Sequence, residues 1–488
     1  MDPDAGIGHA NVLLSHLSLD MLKENLDLEC DSEEGRSAAG FWTEALRALI
    51  SSLAFVTLLP AGLAAQAASS TAMGAPQATV YGGGFQSPLQ FAGQSAPVNQ
   101  VSLSLGTSFF YDDNVLAMGS YGVGDEAFSC NSTLGITRQT EHLTASFNYT
   151  PFFLFYRTFN QFDRLNHTGG LNLGYKLTSR VILGLHDSAS YQTGDYASLA
   201  EPQLLAGPPS PTALNQVVIP YTTRTLYNLA GLDLTFAKSQ RTSLAFSADY
   251  NQSKFGQQTA AQSLYSGNGV SGGLTFQYRV TEHTSFGTLL LHQDSTYKGG
   301  QVFGDRLRTQ VESAVLSVAS RLSPTVSVTV FGGPQYVRTI GAVSLGASLA
   351  GNFQPSGGGS ITKQVRKTAL DLSFQRSVSS SAGLYASAIN TTATLEVRQR
   401  LVGRWEADLQ GGASQIDTSL FRLTNEKTDA LNGGITIDRP VSRGSVFHIS
   451  YFTWHQTSSG NLPNPFNLGR NQVAVGIDYQ FKALPLGR

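Results

Sequence analysis

The sequence predicts an all-β protein: a transmembrane, antiparallel, up-and-down β-barrel of about 18 strands, with about 16 as the alternative. Three observations predict this fold: apolar residues occur at every second position, short turns alternate with long connections, and the content of charged residues is low. Of 488 residues, 14% are charged and 10% aromatic, and 50 are glycine. Soluble domains carry about 25% charged residues, whereas membrane helices would raise the mean hydropathy well above the observed -0.08.

Alternation is clear in the segment VAVGIDYQF, residues 473–481. Strand side chains point to opposite faces in turn, so its valines, isoleucine and aromatics share one face. The same pattern recurs from residue 101 onward and places Leu372 outward and Ser373 inward. A set of soluble sandwiches or a propeller is the alternative fold. It is disfavoured because no blade-length repeat occurs and because faces carrying Asp371, Glu396 and Arg398 require water, which a barrel holds in its lumen.

The connections between the predicted strands fall into two classes. Short turns have a common polar chemistry, as in KLTSR (176–180) and AKSQR (237–241). Long connections rich in Gly, Pro, Ser and Asn lie between them, for example 193–222 and 457–469. Outer-membrane barrels have short periplasmic turns and long external loops, and an even number of strands returns both ends to the periplasm. The sequence therefore predicts an outer-membrane location in a Gram-negative-type envelope.

The N-terminal part of the chain is predicted to be a leader. Residues 41–67 contain an apolar run after Arg47 and end in Ala65-Gln66-Ala67, which is typical of a signal peptide. The acidic residues 1–40 are unlike a signal n-region, and we interpret them as a non-native N-terminal extension, with an unusually long leader as the alternative. Residues 68–99 are predicted to be a flexible linker and residues 100–488 the barrel.

Three short segments of the chain are SFFYDDNV (108–115), SFQRSVSSSAGLY (373–385) and NQVAVGIDYQFKALPLGR (471–488). They resemble the first-strand segment, a recurrent hairpin, and the final strand and tail of a broad family of uncharacterised, porin-like bacterial outer-membrane β-barrel proteins. The last segment is also similar to the assembly signal of outer-membrane proteins, although Lys482–Arg488 follow the aromatic residue. The resemblance implies a barrel recognised by the barrel assembly machinery and says little about substrate.

No catalytic chemistry is evident in the sequence. His-Glu-x-x-His, Gly-x-Ser-x-Gly and phosphate-loop motifs are absent, and His142 and His283 fall in predicted turns. The glycine runs 82–84 and 357–359 are interpreted as linker and loop glycine. We therefore expect no enzyme, no cofactor and no metal site. The net charge of -2 predicts no nucleic-acid partner.

Basic residues recur at the predicted periplasmic turns. They either form an electropositive mouth that favours anions or extend to lipid headgroups. Aromatic residues at the opposite end, in 149–162 and at Phe109, Phe110, Tyr111 and Trp454, are predicted to form an interfacial belt, with sugar stacking as the alternative. The predicted basic rim comprises Arg138, Arg180, Arg241, Arg279, Arg400, Arg404 and Arg443.

The expected function is passive transport of small solutes through a porin-like channel. A structural or export-associated barrel for surface polysaccharide, without an open pore, is the alternative, and an outer-membrane enzyme is a third hypothesis. The apolar connection 193–222 is expected to fold inward and narrow the pore, with Asp195 and Glu201 as selectivity charges. Outer-membrane lipid and small solutes are the expected partners, and a homo-oligomer is left open.

Overall fold

The computed structural model describes residues 99–116, 122–198, 216–256, 266–298, 307–340, 351–379, 388–417, 427–459 and 467–486, without the side chains of 194–198, 216–223 and 379. Almost all of these residues lie in strands. No helix among them is long and apolar enough to span a membrane.

The described strands alternate up and down along the chain, and a single 3-10 turn at Asn160–Phe162 is the described helical element. The strands are β1 (Gln100–Asp112), β2 (Asp125–Gln139), β3 (Leu143–Tyr156), β4 (Arg164–Lys176), β5 (Val181–Ser198), β6 (Gln216–Ala237), β7 (Thr242–Phe255), β8 (Ser266–Arg279), β9 (Thr284–Lys298), β10 (Leu307–Ser323), β11 (Val326–Ile340), β12 (Asn352–Val365), β13 (Thr368–Ser379), β14 (Ala388–Arg400), β15 (Glu406–Asp417), β16 (Lys427–Pro440), β17 (Ser445–Ser459), β18 (Asn467–Gln480) and the short β19 (Leu484–Pro485).

Each strand pairs with its neighbours in the chain, and β1 pairs with β18 to close the ring. All pairings are antiparallel; the β1–β18 register runs from Ser104 opposite Gln480 to Asp112 opposite Gln472. The two-residue β19 extends this seam by pairing with Gln100 and Val101. Closure leaves no free sheet edge, as a strand-built membrane protein requires. The prediction of an up-and-down barrel of 18 long strands is confirmed.

The outer surface of the barrel is apolar. Val473, Val475, Ile477 and Tyr479 on β18 are exposed by 47%, 41%, 46% and 44%, whereas the residues between them face the lumen. The same alternation exposes large apolar side chains such as Leu372 on the other strands. In water these side chains would be unfavourably solvated, but on a closed barrel they contact lipid acyl chains. The predicted faces of β13 are therefore correct: Leu372 lies outside, and the hydroxyl of Ser373 hydrogen-bonds Thr394 across the inner wall.

Several strands extend beyond the predicted limits at the long-loop end. β5 continues to Ser198 and β6 begins at Gln216, so the predicted connection 193–222 is strand at both of its ends. The glycine run 357–359 lies inside β12 rather than in a loop, because its backbone pairs with both β11 and β13. Backbone pairing outside the membrane needs no apolar side chains, so the alternation ends before the strand does.

The predicted aromatic belt is only partly correct. Phe109 and Tyr111 are exposed on the outer surface, but Phe110 and Trp454 have the opposite parity and lie on the lumen side. Trp454 is 3% exposed there. Residues 149–156 of β3 divide in the same way, with alternate residues outside and inside, whereas Phe159 and Phe162 lie in the connection after the strand. Alternation along one strand places neighbouring aromatics on opposite faces, which a belt predicted from composition alone does not respect.

A buried ion pair joins the two strands that close the ring. Asp112 on β1 and Arg470 on β18 are both 0% exposed, and Arg470 Nε donates to both carboxylate oxygens of Asp112, at 3.0 and 2.9 Å. Gln472 Nε2 and the hydroxyl of Tyr156 also donate to this carboxylate, at 2.8 and 3.3 Å. We name Asp112, Tyr156, Arg470 and Gln472 the inner seam clasp.

The outer side of the seam has its own hydrogen bonds. The backbone and side-chain N–H groups of Asn471 donate to the two carboxylate oxygens of Asp113, each at 2.6 Å. The Tyr451 hydroxyl donates to Asn471 Oδ1 at 2.9 Å. The motif YDDN at 111–114 thus places one carboxylate on each face of the seam, and both bond the segment that begins at Arg470. Its role in this fold is to hold the first strand to the last.

Candidate functional site

The lumen is the candidate site, and carboxylates line its wall near the short-turn end. Cross-strand pairing places Asp371 opposite Glu396, and Glu406 opposite Asp438. Like charges directly opposite each other destabilise a sheet unless a counter-charge or water compensates them. The carboxylates of this acidic wall are Asp371, Glu396, Glu406, Asp408, Asp438 and Asp478, and the basic side chains on the same wall are Arg398, Arg400 and His448.

Arg398 is the compensating charge at the centre of the acidic wall. Its Nη2 lies 2.8 Å from Glu396 Oε1 and 3.5 Å from Asp408 Oδ2, and its Nε lies 3.5 Å from Glu406 Oε1. One guanidinium therefore contacts three carboxylates on β14 and β15. The contacted side chains stay 14–34% exposed, so water in the lumen reaches them. The wall retains an excess of negative charge.

The acidic wall continues toward the seam. His448 Nδ1 lies 3.2 Å from Asp478 Oδ2, and the Asp478 side chain is 46% exposed to the lumen. Asp438 is the cross-strand neighbour of His448 on β16. His448 thus contacts Asp478 and lies beside Asp438 on the wall. His448 and His455 are an odd number of residues apart on one undisturbed strand, so they lie on opposite faces.

A second charged cluster lies across the ring, on β5–β8. His186 Nδ1 lies 3.1 Å from Asp233 Oδ2, and its Nε2 lies 3.0 Å from Asp249 Oδ1, so both nitrogens donate when the imidazole is protonated. Ser271 donates to the other oxygen of Asp249 at 3.3 Å. Gly231 lies beneath the imidazole, and a Cβ there would collide with His186 and Asp249. The cluster contains two carboxylates and one histidine, so this side of the lumen also carries an excess of negative charge.

The lumen side of β9–β11 carries clusters of buried apolar side chains, and a hairpin tip covers part of it. Val311 and Val337 face the lumen and pack with Val378 and Ile389 from the loop ends of β13 and β14. The backbone N–H of Val378 donates to Gln335 Oε1 on β11 at 3.1 Å. Because β13 and β11 are separated by β12, this contact requires the β13–β14 tip to leave the wall and fold into the lumen. We call it the lumen hairpin.

A second segment narrows the lumen beside the seam. Val115, Ala127, Leu154 and Tyr156 form a buried cluster on the inner face of β1–β3. Aromatic residues from the β3–β4 connection and from the walls pack against it, namely Phe110, Phe152, Phe159 and Phe162. The backbone N–H groups of residues 158 and 159 both donate to Asp125 Oδ2, which fixes the connection to β2. The loop end of the lumen is thus narrowed from two sides, and its short-turn end is lined by charge.

The structure does not describe the side chains of the two predicted selectivity charges. Glu201 lies outside the described residues, and Asp195 lies in β5 without a described side chain. Their role in a constriction stays a prediction. The lumen hairpin contains part of the SFQRSV motif, which the sequence analysis assigned to a hairpin but not to the pore.

The predicted rim arginines lie at the short-turn end of the barrel or in its turns, where β1 begins and β18 ends. Most of them are exposed, and Arg279 is half-buried. Among the predicted rim arginines, Arg400 is the one that also lies on the acidic wall, opposite Glu406. Alternation predicted that Glu396 and Arg398 face water, but the concentration of carboxylates on one wall was missed. Those carboxylates are spread over five strands, so no window of the sequence contains them together.

No family model matches the sequence, and no curated protein does either. Among solved structures, the chain is similar to OccAB4 of Acinetobacter baumannii, with 10% identity, TM-score 0.41 and coverage of 81% of this chain and 100% of that chain. It is also similar to OpdQ of Pseudomonas aeruginosa, with 9% identity, TM-score 0.40 and coverage of 78% and 98%. The alcaligin outer-membrane receptor FauA of Bordetella pertussis matches with 11% identity, TM-score 0.37 and coverage of 79% and 76%.

Likeness at this level does not bear on function. The barrel's own geometry does bear on location: a closed ring of 18 strands, apolar outside and polar inside, with short turns at one end, is the architecture of outer-membrane proteins. The chain is an outer-membrane-type β-barrel located in the outer membrane of a bacterial envelope.

Proposed function

We propose that the chain is a porin-like passive channel for small solutes and that its lumen favours cations over anions. The observation that carries the proposal is the acidic wall, where carboxylates outnumber basic side chains and remain accessible to water. Rings and patches of Asp and Glu inside a pore attract cations and repel anions. No catalytic role is proposed.

The basic rim acts in the opposite sense, because exposed arginines at the short-turn end attract anions. Charges inside a narrow lumen with low-dielectric walls act on a permeating ion more strongly than exposed charges, which salt screens. The acidic wall and the His186 cluster lie inside the lumen on opposite sides. They therefore determine selectivity in this proposal, and the rim contributes mainly contacts with lipid.

The experiment is a planar-bilayer recording of the purified barrel in a potassium chloride gradient. We expect a steady conductance and a reversal potential of cation-selective sign. Replacing Glu396 and Asp408 by the amides should move the reversal potential toward zero. Glu312→Gln is the matched control, because Glu312 is exposed on the outer surface, and should change nothing. An anion-selective current would refute the role of the acidic wall.

The alternative is a structural or export-associated barrel without an open pore. It is favoured by the two apolar clusters that narrow the loop end, one at the lumen hairpin and one beside the seam. Absence of any steady current from a correctly folded barrel would support this alternative. Association with the assembly machinery and self-association stay predictions.

A further inference from the structure

A notch on the outer surface lies between two short turns at the end of β14–β17. It measures about 730 Å³, and its lining residues are Val402, Gly403, Arg404, Trp405, Arg439, Pro440, Val441 and Phe447. The first turn follows β14 and the second follows β16. Gly403 has φ +72°, a left-handed conformation that suits glycine and lets the first turn reverse tightly.

The side chains of the notch combine two arginines with apolar surface. Arg439 lies over the indole of Trp405, with its guanidinium carbon 5.0 Å from the ring centroid. Phe447 is the cross-strand neighbour of Arg439 on the outer face. Val402 and Val441 are exposed by 88% and 61%. No carboxylate is among the described lining residues, so the notch is complementary to an anion that carries an apolar part.

The position of the notch in the membrane identifies that anion. Exposed apolar side chains continue down to the turns, at Leu401 and Val441, so the hydrocarbon boundary lies at this level. A tryptophan stacked with an arginine at this boundary is typical of the headgroup region. The short turns of an outer-membrane barrel face the periplasm, where the leaflet is phospholipid.

We infer that the notch is a binding site for one anionic phospholipid. Its phosphodiester is held by Arg404 and Arg439, and an acyl chain lies along Val402 and Phe447. Guanidinium groups suit phosphate because their planar N–H groups match its oxygens. A free phosphate would use the same arginines but would leave the apolar lining exposed to solvent, so the occupant is a lipid. This site does not depend on the barrel being an open channel.

The test uses quenching of Trp405 fluorescence in reconstituted vesicles. The full protein is placed in phosphatidylcholine vesicles that contain a minor fraction of phosphatidylglycerol, and either lipid carries bromine near its headgroup. Subtracting the Trp405→Phe variant isolates the signal of this residue from those of Trp42, in the predicted leader, and Trp454, which is buried on the lumen side. Each arginine near an anionic lipid gives about a fivefold preference. The mole fraction of brominated lipid is the same in both sets of vesicles. We therefore expect brominated phosphatidylglycerol to quench Trp405 at least about fivefold better than brominated phosphatidylcholine.

Variants distinguish a defined site from general attraction to the rim. Arg404 lies in an exposed turn, so Arg404→Gln should reduce the preference for phosphatidylglycerol without affecting folding. Arg439→Gln should reduce this preference further. Arg138→Gln, at a distant rim position, should leave it intact. Equal quenching by the two brominated lipids, or loss of preference in Arg138→Gln, would overturn the site. Competition by inorganic phosphate would show a free-anion site instead and would also overturn the lipid assignment.

Discussion

Breaking the inner seam clasp is expected to cost the barrel more stability than the other substitutions considered below. Asp112→Ala removes the carboxylate that Arg470 contacts and leaves a guanidinium that is 0% exposed without its counter-ion. Removing one partner of a buried pair costs about 3–5 kcal/mol, because the remaining charge stays desolvated. The hydrogen bonds that Gln472 and Tyr156 donate to this carboxylate are lost as well, so the upper part of this range is expected. Denaturant unfolding of the folded barrel in lipid, followed by its heat-dependent gel mobility, measures the loss.

Two companion variants test the reasoning. The double variant Asp112→Leu with Arg470→Met should recover most of the stability, since apolar residues of similar volume often replace a buried pair at little cost. Arg308→Met breaks the same type of pair, with Asp294, where the arginine side chain is 50% exposed, and should have a much smaller effect. An Asp112→Ala variant no less stable than Arg308→Met, or a double variant as unstable as the single one, would refute a desolvation cost at the clasp.

The remaining predictions concern the wall, the lumen and the leader. Leu372→Arg, on the lipid face, should cost about 2–4 kcal/mol, and Ser373→Arg, on the lumen face, much less; equal losses in denaturant unfolding would contradict the assigned faces. Val378→Asp should release the lumen hairpin from its apolar contacts and raise single-channel conductance, whereas unchanged conductance would show that the hairpin does not narrow the pore. Deleting residues 198–216 should raise conductance only if that connection also constricts the lumen. Mass spectrometry should find the mature N-terminus directly after about Ala67.

Much of the barrel could be predicted from the sequence because lipid on one side and water on the other impose alternation on every strand. The outward position of Leu372 and the lumen position of Arg398 both follow from that rule. The seam clasp could not be predicted, since its ion pair joins residues 358 positions apart. The lumen hairpin was missed for another reason: Val378 and Ile389 alternate like belt residues, and only the departure of β13 from β12 turns them inward.

The seam clasp also links stability to the order in which the chain becomes available. Asp112 belongs to the first strand, but its counter-ion belongs to the last, so an incomplete barrel holds this carboxylate without its counter-ion until Arg470 arrives. Closing so long a loop is slow and carries an entropic cost that local hairpins avoid. The ring therefore gains a large part of its seam stability only at the final pairing step. A chain interrupted before Arg470 would lack the clasp and would leave one edge of β1 unpaired, so a shortened product cannot gain the stability of the closed ring.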